Sequence, residues 1–133
     1  MHRSILMLED DSDDRYLTQE TLQELEIDIP VTYLNSSAAL FELLACGERP
    51  SLILIDYNST PENGLQILRK LKADEAWSGI PVVILSDSDL ASYRDACYRM
   101  GASSYIKKPD SVFETRAKIG TFFRYWFEVA EVG

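Results

Sequence analysis

Five reactive or charged side chains stand directly after short apolar runs of this chain. Glu9 and Asp10 follow ILML, Asp56 follows LILI, Ser86 follows VVIL, and the run Ser103–Ile106 leads into Lys108. Carboxylates brought within a few ångströms repel one another, and a hard divalent cation removes that conflict. Mg²⁺ suits such a set, because it takes one or two protein carboxylates and keeps waters and phosphate oxygens in its other positions. Glu9, Asp10 and Asp56 therefore read as a metal site with open positions. A lysine and a hydroxyl facing the same spot suit a dianionic phosphoryl group, with Lys108 as the counter-charge and Ser86 as a hydrogen-bond donor. A carboxylate can itself attack phosphorus to give an aspartyl phosphate, a reaction that needs mainly positioning and charge neutralisation. Each residue has a plainer reading alone: helix cap for the acidic run, Asx turn for Asp56, cap for Ser86, solvated charge for Lys108. Their recurrence at successive strand ends favours the chemical reading.

The elements that must place them alternate. Apolar runs at Ser4–Leu8, Val31–Leu34, Leu52–Ile55, Val82–Leu85 and Ser103–Ile106 are separated by segments of helical period at Asp13–Glu26, Ala38–Ala45, Gly64–Ala73 and Leu90–Met100, and Ser111–Val132 follows the last. Caps fit this division. Asp11 or Ser12 precedes the first helix, Ser36 or Ser37 the second, Asn63 the third, and Asp87 or Ser88 the fourth, while Gly47 and Gly101 close the second and fourth. Runs that are apolar throughout mark strands covered on both faces, and strand–helix alternation implies right-handed βαβ units. The expected fold is an α/β, flavodoxin-like, doubly wound five-stranded parallel sheet in the order 2-1-3-4-5 with five helices. In that order, ligands bind beyond the carboxyl ends of the strands, where the winding reverses between strands 1 and 3.

Bulk properties narrow the function. The 133 residues suffice for one domain, residues 1–133, and the composition, 46% hydrophobic and 26% charged, is that of a folded protein. A net charge of −9 without any basic run argues against nucleic acid and anionic membrane as partners. No run of about 18 apolar residues suggests a membrane span, and the N-terminus does not read as a secretory signal. Cys46 and Cys97 show no metal-ligand spacing and are expected as buried free thiols in a cytoplasmic protein.

The conjunction of motifs resembles the receiver domain of two-component response regulators over nearly the whole chain. ILMLEDD is similar to the family's first strand and acidic pair, so the resemblance implies Mg²⁺ on Glu9 and Asp10. LILIDYN with the later Pro and Asn-Gly resembles the phosphoacceptor strand, which implies Asp56 as acceptor and the Asn58 backbone carbonyl as a further metal ligand. VVILSDS resembles the strand of the switch hydroxyl, Ser86, and MGASSYIKKP the fifth strand, with Tyr105 as switch aromatic and Lys108–Pro109 as a pair whose joint can be cis. EDDSDDRYL and FFRYWFEV resemble stand-alone regulators that partner bacterial phytochromes. The resemblance implies a phosphoprotein of a phosphorelay, loaded by a sensor histidine kinase or phosphotransfer protein. It further implies a signalling protein with at most Mg²⁺-dependent self-phosphotransfer and autodephosphorylation, not an enzyme. The resemblance also implies a switch in which phosphorylation recruits Ser86 and turns Tyr105 inward.

Two departures stand out. Pro61 lies five residues after Asp56, where the family usually has four, and Ser59 and Thr60 add hydroxyls to the loop. Asp87 follows Ser86 where the family favours a small residue. It is expected to cap the fourth helix and point away; facing the site, it would slow loading by small phosphodonors. The last helix carries a second apolar face, Phe122, Tyr125, Val129 and Val132, beyond its core stripe, which suggests a homodimer through helix five. With Gly133 directly after that helix, no separate output domain is expected, and signalling is expected to pass through protein contact. Two other classes are weighed. A receiver-fold binding module that works without phosphate is separated by whether phosphotransfer depends on Asp56. An aspartyl phosphohydrolase is disfavoured by Asn58 in place of the second acid.

Overall fold

The computed structural model describes residues 4–107, except 10, 25, 27, 88 and 89, together with residue 121. Its elements run β1 (Ile5–Leu8), α1 (Ser12–Glu24), β2 (Val31–Leu34), α2 (Ser37–Ala45), β3 (Leu52–Asp56), α3 (Gly64–Ala73), β4 (Val82–Ser86), α4 (Ala91–Met100) and β5 (Ser104–Lys107). The strands form a parallel five-stranded sheet in the order β2-β1-β3-β4-β5, as the sequence predicts. Of the fifth predicted helix, residues 111–132, residue 121 alone is described, and it is helical; the rest lies outside the described residues.

The apolar runs become strands because both of their faces meet helices. Leu6, Leu8, Ile53, Ile55, Val82 and Ile84 point to one face, where they pack with Leu40 and Leu44 of α2, Ile67, Leu68 and Leu71 of α3, and Cys97 of α4. The alternate residues, Ile5, Met7, Leu52, Leu54 and Val83, pack on the other face with Leu22 of α1. A side-chain period of two sends successive residues to opposite faces, so two-sided cover requires an unbroken apolar run.

Local signals place the helix starts. Asp11 Oδ1 accepts the Asp13 N–H at 2.8 Å, Ser36 Oγ accepts the Ala39 N–H at 3.2 Å, and Asn63 and Gln66 form a reciprocal capping box. Gly101, at φ 106°, ends α4 in the left-handed region that a Cβ disfavours.

Three expectations are corrected. Helix α4 starts at Ala91 behind Leu90, whose side chain makes no cap hydrogen bond, so Asp87 does not cap it; the other candidate, Ser88, lies outside the described residues. Cys46 is exposed at the end of α2, and only Cys97 is buried. Strands β3 and β4 each run one residue further than read, so Asp56 and Ser86 are the last residues of their strands.

Candidate functional site

Strand register brings the predicted groups to one rim. Leu8 is paired with Ile55, so one step further along the same pairing Glu9 stands beside Asp56. On the other side Asp56 is paired with Leu85, and Tyr57 N–H donates to Leu85 O at 2.7 Å, which sets Ser86 next to the exit of β3. Ser86 is in turn paired with Lys107, the residue before Lys108. Neighbouring strands are about 4.8 Å apart, so these ends form one short row. Three of its polar residues are buried: Glu9 is 2% exposed, Asp56 8% and Ser86 1%. Asp10, Lys108 and Pro109 lie outside the described residues, as do Phe122, Tyr125, Val129 and Val132 of the predicted interface.

The loop after β3 folds back on the acceptor strand. Asp56 Oδ1 accepts the Asn58 N–H at 3.0 Å, so the Asx-turn geometry is present at the same carboxylate that the chemical reading singles out. Ser59 donates both its N–H, at 3.1 Å, and its hydroxyl, at 2.6 Å, to the Asp56 carbonyl. The Ser59 hydroxyl therefore closes the turn. The Thr60–Pro61 peptide is cis. Glu62 then ties the loop down: Oε1 accepts from Ser37 Oγ at 3.0 Å, and Oε2 pairs with Lys70 Nζ at 2.6 Å. The Lys70 ammonium, with the Ser37 hydroxyl, holds the Glu62 carboxyl below its ordinary value against a smaller effect of burial.

Asn-Gly ends the loop for a steric reason. Gly64 N–H donates to Tyr57 O at 2.8 Å, and a Cβ at Gly64 would stand 2.8 Å from Tyr57 Cα. Backbone cannot yield as a flexible side chain does. Gly64→Ala is therefore expected to destabilise the domain by about 1–3 kcal/mol, read as a lower urea midpoint.

On the β1 side, Glu9 Oε1 accepts the Asp11 N–H at 3.1 Å. Arg15 donates to the Glu9 carbonyl and to Asn35 Oδ1, with its guanidinium 5.7 Å from the Tyr33 ring centre. Arg15 thus joins the ends of β1 and β2 under the acidic rim. Burial raises the Tyr33 phenol above its ordinary value, and Arg15 partly opposes this.

On the β4–β5 side, Tyr105 is buried in the core, and its N–H donates to Tyr98 Oη of α4 at 3.0 Å. Tyr57 stacks on Tyr93 of α4, with ring centres 5.0 Å apart and planes 14° apart. Burial, then the neighbouring Cys97, Tyr93 and Tyr105, raise the Tyr57 phenol. Neither Tyr57 nor Arg15 was singled out by sequence. Their only advance signals were an aromatic next to Asp56 and a cation directly after the acidic stretch EDDSDD.

The donor set is one of hard oxygens. Glu9 and Asp56 are buried carboxylates on adjacent strand ends, which suits Mg²⁺ or Mn²⁺. Among the described residues no three His, Cys, Asp or Glu side chains gather as a metal cluster, and the third expected carboxylate, Asp10, is not among those residues. Nor is any helix among them long and apolar enough to cross a membrane.

Comparison with known proteins adds independent findings. Residues 5–119 match the family model described as the response regulator receiver domain. Response regulator Rcp1 of Synechocystis sp. (strain ATCC 27184 / PCC 6803 / Kazusa) is 30% identical over 130 residues, covering 93% of this chain and 88% of that protein. Two-component response regulator ORR5 of Oryza sativa subsp. japonica is 30% identical over 79% of this chain and 77% of its own length. Among solved structures, the Mn²⁺-bound form of Rcp1 superposes with a TM-score of 0.91 at 26% identity, covering 98% of this chain and 99% of that one. The phosphorylated cyanobacterial phytochrome response regulator RcpA gives a TM-score of 0.91 at 26% identity, covering 99% of both chains.

Proposed function

Because this chain belongs to the response regulator receiver family, we propose that it accepts a phosphoryl group on Asp56 from a sensor histidine kinase or phosphotransfer protein and passes the signal on by protein contact. The observation that carries this reading is the row of buried polar strand ends, Glu9, Asp56 and Ser86, at the carboxyl edge of β1, β3 and β4. Support comes also from RcpA, a similar protein of known phosphorylated structure, and from Rcp1, whose Mn²⁺-bound form shares the fold. Coverage of Rcp1 nearly end to end supports a single receiver domain over residues 1–133.

Glu9, Asp10 and Asp56, with the Asn58 carbonyl, would hold a divalent cation, most simply Mg²⁺. When bound, that ion neutralises charge on the transferred phosphoryl oxygens. The chain's own residues do the rest. A carboxylate oxygen of Asp56 forms the new bond to phosphorus as the P–N bond to the donor imidazole breaks. The leaving nitrogen keeps the electron pair of that bond. The Asn58 N–H on Asp56 Oδ1 fixes the rotation of the carboxylate, so one oxygen is held while the group is aimed. Ser86 and Lys108 would bind the phosphoryl oxygens of the product. Tyr105 is already buried, the position expected of the switch aromatic after loading.

The reading is tested by exposing the protein to acetyl phosphate with Mg²⁺ and with chelator. One phosphoryl group per chain is expected with the ion and none without it. Glu9→Gln, which removes one of the carboxylates, is expected to raise the Mg²⁺ concentration needed at half-saturation by at least about tenfold. Incorporation indifferent to Mg²⁺ would refute the metal-assisted scheme.

A further inference from the structure

Asp87 is the end of a side-chain bridge across the candidate site. Asn58, whose N–H holds Asp56 Oδ1, extends its own amide to Asp87: Nδ2 donates to Oδ2 at 3.4 Å. This contact follows from register. Pairing of Asp56 with Leu85 continues through the Tyr57 N–H to Leu85 O bond, so Asn58 and Asp87 emerge side by side on the two loops that flank the acceptor. Helix α4 begins only after Leu90, so no cap draws the Asp87 carboxylate away. Asp87 is exposed, and Asn58 is its one hydrogen-bond partner among the described residues.

From this placement we propose that Asp87 is a charge gate at the mouth of the Asp56 site, selecting against small dianionic phosphodonors in favour of donors delivered by a docked protein. The proposal rests on Asp56 as the phosphoacceptor. A free dianion must approach past a carboxylate that belongs to neither the metal set nor the acceptor. The repulsion acts on the encounter and is weakened by water and salt. A protein donor meets the same charge, but its docking interface supplies binding that acetyl phosphate lacks. Asp87 is a specificity residue here: it touches the loop, and it alters the field at the entrance.

The test compares wild type, Asp87→Asn, Asp87→Ala and Asp56→Asn, with initial labelling rates in Mg²⁺ buffer read by intact mass. Asp87→Asn keeps an oxygen for Asn58 Nδ2 and removes the charge. Both Asp87 variants are expected to label about threefold to tenfold faster than wild type with acetyl phosphate at low ionic strength. Added KCl should narrow the gap. With phosphoramidate, which carries one negative charge fewer at neutral pH, the acceleration should be smaller. If Asp87→Asn stays as slow as wild type, or both donors gain equally, charge is not the agent and the gate is overturned. Unchanged rates in both variants overturn it as well. Failure of the acceptor reading looks different: Asp56→Asn would label as wild type does, or no variant would label with either donor, and the gate would fall with it.

Discussion

Asp56→Asn is expected to reduce Mg²⁺-dependent phosphoryl incorporation to background while the fold persists. An amide has no anionic oxygen with which to attack phosphorus, so the loss should be complete. Its shape, however, is that of the carboxylate. The amide oxygen can still accept the Asn58 N–H that Asp56 Oδ1 accepts at 3.0 Å, so the loop keeps its anchor. Electrostatics gives a second, independent readout. Glu9 and Asp56 are both buried at adjacent strand ends, and like charges so placed oppose folding when no cation is bound. In chelator, the variant should therefore melt at or above wild type. Saturating Mg²⁺ reverses the order: at about 100 times its dissociation constant, a ligand of the folded state stabilises it by about 2.7 kcal/mol. The variant should gain clearly less. Thermal melts with and without Mg²⁺, together with intact mass after acetyl phosphate, check both halves.

Ile53→Ala should be the most damaging of the apolar changes beneath the site. Ile53 has no exposure, lies on the central strand between Leu6 and Val82, and faces the side covered by α2 and α3. Removing its side chain deletes buried methylene and methyl groups and leaves a hole that a sheet held on both sides cannot close. The expected cost is about 2–5 kcal/mol. Against a total stability of about 5–15 kcal/mol for a domain, that is a large fraction. Leu85→Ala, at a partly buried position on the opposite face, should cost less. Urea unfolding with an unchanged m-value would show that the difference lies in the folded core.

Much of this was legible in sequence, for a physical reason. Strands buried on both faces need unbroken apolar runs, and parallel pairing puts all their carboxyl ends on one edge. ILML, LILI and VVIL thus located the sheet and its functional rim together. Caps were legible where side chain and backbone meet locally, as at Ser36 and Asn63. Helix α4 was misread because its N-cap, Leu90, has no capping side chain, so the polar residues Asp87 and Ser88 before it looked like caps. Asp87 instead answers to a contact with Asn58 across the sheet, which no local rule contains. The same holds for the Tyr57–Tyr93 stack and the Arg15 bridge, both joining elements distant in the chain. Ser59 was read as a hydroxyl beside the site; its donation to the Asp56 carbonyl depends on the turn, which only the folded backbone defines. Cys46 looked buried because its helix is apolar, yet it falls past the last covered turn.

The central claim is that the carboxylate of Asp56 becomes an acyl phosphate. Borohydride reduces such a mixed anhydride to the alcohol, which turns a phosphorylated aspartate into homoserine. Protein loaded with acetyl phosphate and Mg²⁺, reduced and digested, should yield the LILIDYNSTPENG region with homoserine at position 56, and chelator-treated protein should yield aspartate there. Homoserine at another aspartate, or at none after confirmed phosphoryl uptake, would contradict the account.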